Sequence, residues 1–174
     1  MKDRVYQELN AHVRDNDQKT FWLNALYLSI LTFAFSNGQS MAALDYFFSA
    51  TFGPYWKTIG LLALGYFFQF LHFWYRSWKF HYMTVIHAFW VQNQSAMGEE
   101  VPFWHKTKPK FSSFDLLIRS GPFFVNALII LEGCLRQIAD NADRVLLVAG
   151  FLLLHLTVTW LMAVKLLDVR RFSA

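Results

Sequence analysis

At 174 residues with 55% hydrophobic, 19% aromatic and 16% charged side chains, the chain carries more apolar surface than one water-surrounded domain of this length buries. Its net charge of +4 comes from sixteen Lys and Arg spread between apolar runs, with no dense basic block, which argues against specific nucleic-acid binding. The single cysteine, Cys134, excludes an intrachain disulfide and a cysteine-based metal centre.

Three stretches lack any Asp, Glu, Lys or Arg: between Lys19 and Asp45, between Lys57 and Arg76, and between Arg144 and Lys165. Each approaches or exceeds the roughly 20 residues a spanning helix needs. The expected fold is therefore an all-α integral membrane protein with four transmembrane helices, residues 1–174 forming one four-span domain with both termini cytoplasmic.

Residues 1–19 are polar, with Val5, Tyr6, Leu9 and Val13 at helical spacing, which predicts a cytoplasmic amphipathic segment. The first span follows over 21–36 and meets the turn dipeptide Asn37-Gly38. Ala34-Phe35-Ser36 fits a small-residue cleavage pattern. The four basic residues before the run are matched by four acidic ones, however, so the positive bias of a signal peptide is missing and the run is expected to stay as a helix. Residues 39–53 predict an interfacial helix, since Asp45 interrupts them, and Gly53-Pro54 breaks the chain.

The second span runs over 56–75, with Pro54 suited to its start and aromatic residues at both ends. No Gly or Pro occurs from Tyr66 through Met97, so this helix is expected to continue into the cytosol, within a helical and loop region at 76–113. Eleven of the twenty-four residues from Phe67 to Trp90 are aromatic, and that density predicts packing against something. Trp78, Tyr82, Phe89 and Trp90 are the candidates for contact with a cytosolic protein partner.

The third span, 116–135, is the blemished one. Its uncharged core from Ser120 to Leu131 is twelve residues, about 18 Å of helix, so it crosses only if Arg119 snorkels inward and Glu132 sits at the far interface. The alternative is a re-entrant or interfacial segment. Pro122 either kinks the helix or marks its start. The fourth span, 145–164, is the clearest.

Basic residues decide the topology. The N-terminal segment, middle loop and C-terminus hold four, six and three, against three in the two opposite loops. The cytoplasmic side carries the excess, which places both termini there and requires the third run to cross.

Polar groups inside spans are costly in hydrocarbon unless they face protein or water, which singles out Asn24, Gln69, Arg119, Asn126, Glu132 and His155. Asn126 and His155 are expected to hydrogen-bond across one packed interface, as a structural bond or as a pore lining. Glu132 and Arg136, four apart, suit an ion pair.

His72, His81 and His87 are nine and six apart, which matches no single-helix ligand spacing. A haem between His72 and His155 would have to reconcile different depths. Arg76 and His81 fit the Arg-x4-His spacing of certain ribonuclease motifs, but a snorkelling Arg beside an interfacial His explains them better. No catalytic motif stands out, so neither an enzyme nor a cofactor is expected.

In layout alone, four spans with inward termini and a longer middle loop, the chain resembles immunity proteins against pore-forming colicins and membrane components of bacterial antiphage systems. No motif residue carries over. The expected function is a small bacterial inner-membrane protein that homo-oligomerises into a channel, sensor or membrane-effector assembly, in contact with the lipid bilayer and a cytosolic partner. A non-pore immunity, anchor or assembly protein is the alternative, and a membrane enzyme or haem-bearing subunit the least favoured.

Overall fold

The structure, a computed structural model, describes residues 2–36, 56–93, 120–137 and 141–171. They form four α-helices: α1 Lys2–Ser36, α2 Trp56–Asn93, α3 Gly121–Gln137 and α4 Asn141–Arg171. The interfacial segment expected at 39–53, the loop at 94–113 and Arg119 lie outside the described residues, as does the side chain of Arg136.

The N-terminal amphipathic segment and the first expected span are one helix, because no Gly or Pro interrupts α1 from Lys2 to Ser36. At 1.5 Å per residue, α1 and α2 are each over about 50 Å long, well beyond the roughly 30 Å of a hydrocarbon core. The extension expected of the second span is present, since α2 continues to Asn93.

The described part of the third run starts at Gly121. Pro122, which has no N–H to donate, sits in the first turn, where the loss is harmless, and the Phe123 N–H donates to the Ser120 carbonyl at 3.1 Å. Pro122 therefore marks a start and not a kink.

Side-chain contacts set the packing directions. His12 meets Tyr82, Asp17 meets Lys79 and Tyr27 meets Phe68, so α1 and α2 run antiparallel along their length. Tyr66 meets His155 and Phe73 clusters with Ala163 and Leu166, so α2 and α4 run parallel. α2 is the central element, packed against all three others, and α3 lies against both α2 and α4.

Two apolar clusters hold the helices together. Tyr27, Leu31 and Phe68 join α1 to α2 with Val125 of α3 against them, and Phe73, Ala163 and Leu166 join α2 to α4. Among the described residues α4 alone is long and apolar enough to cross a membrane, over Val145–Leu166, and α3 contributes the shorter apolar stretch Gly121–Glu132.

Candidate functional site

Polar side chains recur at helical spacing within the buried interior of the helix group, beside the two apolar clusters. On α1, Asn16 and Thr20 are buried, Asn24 is half-buried and Tyr27 is buried. On α2, Gly65, Gln69, His72 and the half-buried Arg76 form the facing stripe. Both series step by three or four residues, which keeps each on one side of its helix.

The deepest part of this seam is a three-helix knot. Asn126 of α3 accepts from the Tyr27 hydroxyl of α1 at 3.4 Å and donates through Nδ2 to Gln69 Oε1 of α2 at 3.2 Å. Gly65 makes the approach possible. A Cβ there would collide with the Asn126 amide and stand 2.9 Å from the Tyr27 oxygen, so only a residue without one admits α3 this close.

His155 fixes α4 to the group. Its Nε2 lies 3.0 Å from the Phe123 carbonyl, which can only accept, so Nε2 carries the hydrogen. Nδ1 of the neutral ring then accepts from the Tyr66 hydroxyl at 2.8 Å. The Phe123 ring stacks on the imidazole with centroids 4.8 Å apart. Thr159, one turn on, is buried and donates to the His155 carbonyl at 2.8 Å.

The expected bond between Asn126 and His155 is not formed. The knot binds α1, α2 and α3, whereas His155 lies one turn away beside Phe123 and Tyr66, and both groups find other partners within reach.

At the other end of the seam, Asp17 joins α1 to α2 through Lys79 at 2.5 Å and Arg76 at 3.6 Å. Arg76 thus serves as an ion-pair partner between helices. Lys19 pairs with Asp15 at 2.6 Å, and that carboxylate raises the Lys19 ammonium above its usual 10.5. Trp78 and Tyr82 stack on each other, and Tyr82 stacks on His12 at 4.8 Å.

These groups frame a cleft of about 190 Å³ lined by His12, Asp15, Asn16, Lys19, Trp74, Tyr75, Trp78 and Tyr82. Of Trp78 and Tyr82, expected from the sequence as partner contacts, Tyr82 stacks on His12 of α1 and Trp78 stacks on Tyr82. Phe89 and Trp90 are half-buried, with Trp90 stacked on His87.

Of the six intramembrane candidates, Gln69, Asn126 and His155 are buried and bridged between helices. Asn24 is half-buried, Glu132 is exposed at the far end of the apolar stretch, and Arg119 lies outside the described residues. Tyr27, Gly65, Tyr66, His72 and Thr159 complete the site. Their signal was periodicity: Tyr27 continues the stripe Asn16, Thr20, Asn24, and Gly65 and His72 flank Gln69 at four and three residues. Among the described residues no three His, Cys, Asp or Glu side chains converge as a metal-ligand set.

The described residues form four α-helices that enclose polar side chains, of which Tyr27, Gln69, Asn126, Tyr66 and His155 bond between helices. The chain matches no family model, no curated protein and no solved structure.

Proposed function

We propose that the chain is a multi-pass membrane protein whose four helices cross the bilayer, with both termini cytoplasmic, and that it works as a non-pore interaction or assembly protein through the helical pair projecting into the cytosol. One observation carries this reading: the burial rule inverts along a single pair of helices. From Arg4 to Gln18 the exposed residues of α1 are mostly polar or charged, among them Arg4, Gln7, Glu8, Arg14 and Asp15, while Val13 is buried.

From Phe21 onward the exposed large side chains of α1 are Phe21, Trp22, Leu26, Leu28 and Phe33, at 53–67% exposure. The exposed Ser29 and Thr32 turn their hydroxyls onto carbonyls of their own helix, while the interior at that level holds Gln69 and Asn126 beside Tyr27, Leu31 and Phe68. Water as the only surrounding solvent gives no reason for that inversion. Hydrocarbon around one half does. α4 supports the same reading, since only 11% of its apolar window is buried and the buried stripe includes His155 and Thr159. The excess of basic residues on the termini and middle loop supports the orientation, and a bacterial inner membrane suits that bias.

The preference for a non-pore role over an oligomeric channel rests on the same polar groups. Both faces of the Asn126 amide and both nitrogens of His155 are occupied by hydrogen bonds within the chain, so these side chains act as interhelical ties.

The test is extraction of expressed membranes with alkaline carbonate, followed by sided labelling of cysteines placed at positions 7 and 92. Retention in the pellet with both positions reached from the cytoplasmic side is expected; release into the supernatant would defeat the membrane reading. Vesicles containing the purified protein should hold an ion gradient. A leak that disappears on Asn126→Leu or His155→Leu would restore the channel.

A further inference from the structure

Asn24 Oδ1, Gln69 Nε2, both ring nitrogens of His72 and Ser120 Oγ are buried atoms without a hydrogen-bond partner in the protein. The helix registers place them together. With Asp17 opposite Arg76 and Lys79, and Tyr27 opposite Phe68, Asn24 of α1 falls level with His72 of α2. With Asn126 joined to Gln69, Ser120 lies level with His72 as well, and a Cβ on the neighbouring Gly121 would stand 3.8 Å from Asn24 Oδ1.

Gln69, His72 and Ser120 are fully buried. A buried donor or acceptor left unpaired is a strong demand on a marginally stable fold. The set combines a carbonyl acceptor, an amide donor, a hydroxyl and an imidazole, and the nearest charge, the Arg76 guanidinium one turn from His72, is matched by Asp17 at 3.6 Å. An anion would face the Asn24 oxygen and a metal cation the Gln69 N–H, so the chemistry that fits all four is a small neutral molecule that both donates and accepts. Water has that chemistry.

Polar side chains also lie between this level and the surface. Asn16, Thr20 and Ser77 are buried polar residues that continue the seam from this level toward the surface, and Asn16 is itself part of the wall of the cleft between His12 and Lys19. A volume of about 190 Å³ holds several waters, each needing on the order of 30 Å³. We infer that His72, with Asn24, Gln69 and Ser120, is the inner end of a water-access path that enters at the His12–Lys19 cleft. The path stops at the knot of Tyr27, Gln69 and Asn126, where the polar groups bond each other. It rests on the membrane reading for its significance, because it carries water below the level at which α1 turns apolar on its outside.

The test is radiolytic hydroxyl-radical labelling of the full chain in phosphatidylethanolamine–phosphatidylglycerol vesicles, read by mass spectrometry. Radicals formed from bound water oxidise the side chains beside it. His72 should be oxidised several-fold faster than Phe68, a ring that is also buried but packs against Tyr27 of the stop. Thr20→Leu, which fills the seam between cleft and His72, should bring His72 down toward the Phe68 rate with unchanged helical circular dichroism.

Oxidation of His72 no faster than that of Phe68 in the unmodified protein would overturn the path, whatever Thr20→Leu does to folding. Washing the vesicles in alkaline carbonate first separates the two readings. Loss of protein counts against membrane insertion, and retention with a protected His72 counts against the water path alone.

Discussion

In the first twenty residues of α1, with their partner stretch of α2 beyond Tyr75, Val13 and Ile86 are buried beside Asn16 and Ser77, most of the outward side chains of α1 are polar or charged, and Asp17 bridges to Arg76 and Lys79. The next turns of the same two helices differ. Phe21, Trp22 and Leu26 face outward while Gln69, His72 and Asn126 are fully enclosed. The backbone is continuous through the change and the pairing partner is the same. On the proposed membrane reading a helix pair reports the boundary of its solvent, and that boundary falls at Thr20 and Phe21 on α1 and near Tyr75 and Arg76 on α2.

The largest test of this contrast is a charge on the outward apolar face. Leu153→Lys, at a position 65% exposed near the centre of the α4 stretch, should cost about 3 kcal/mol of insertion free energy. Val5→Lys in the polar half should stay within about 0.5 kcal/mol. An insertion assay that finds the two substitutions equally harmless would erase the distinction between the halves.

Gly65→Ala comes next. The added methyl displaces Asn126 from the knot, and crowding of this kind costs about 1–3 kcal/mol, more than the gain in helix propensity of about 1 kcal/mol returns. Thermal unfolding in detergent should show a lower midpoint, whereas Gly150→Ala, with open space around it, should not lower it.

Tyr27→Phe removes one bond of the same knot without changing its shape. At 3.4 Å this bond is long, and a loss of about 0.5–1 kcal/mol is expected, in the range of interhelical bonds in membranes. A double-mutant cycle with Asn126→Ala should recover most of that loss as coupling, and zero coupling would mean that the hydroxyl bonds elsewhere.

Effects in the polar half should be smaller and sensitive to salt. Asp17→Asn loosens the ties to Arg76 and Lys79, with a cost of up to about 1 kcal/mol that shrinks in concentrated salt. The smallest effect belongs to the exposed Lys19–Asp15 pair. The carboxylate raises the ammonium above 10.5 in the folded chain, so the stabilisation is fully present below pH 10.5 and disappears as the pH climbs through the raised value. A slight drop in helicity over that alkaline range, absent in Asp15→Asn, is the expected readout.

Helical class, the continuation of α2 past Tyr75 and the enclosure of Gln69, Asn126 and His155 were legible in the residues. Charge-free runs, the lack of Gly or Pro and the cost of burying amides each point to one outcome. The partners of those amides were not legible, because spacing along one helix says nothing of the register between helices. Asn126 and His155 were paired on the ground of similar depth, yet Gly65 draws Asn126 toward α1 and α2, and the Phe123 carbonyl draws His155 to the start of α3. The stacking of Tyr82 on His12 of α1 was not legible either, because the two lie seventy residues apart in sequence.

Nitroxide labels placed singly along α1, with collision rates for oxygen and for an aqueous nickel chelate measured in vesicles, test the central claim most directly. The account predicts nickel-accessible labels at positions 4, 7, 8 and 14, and oxygen-rich, nickel-poor labels at 22, 26 and 33, with the crossover at Thr20 and Phe21. Nickel access at all of these outward positions would contradict it.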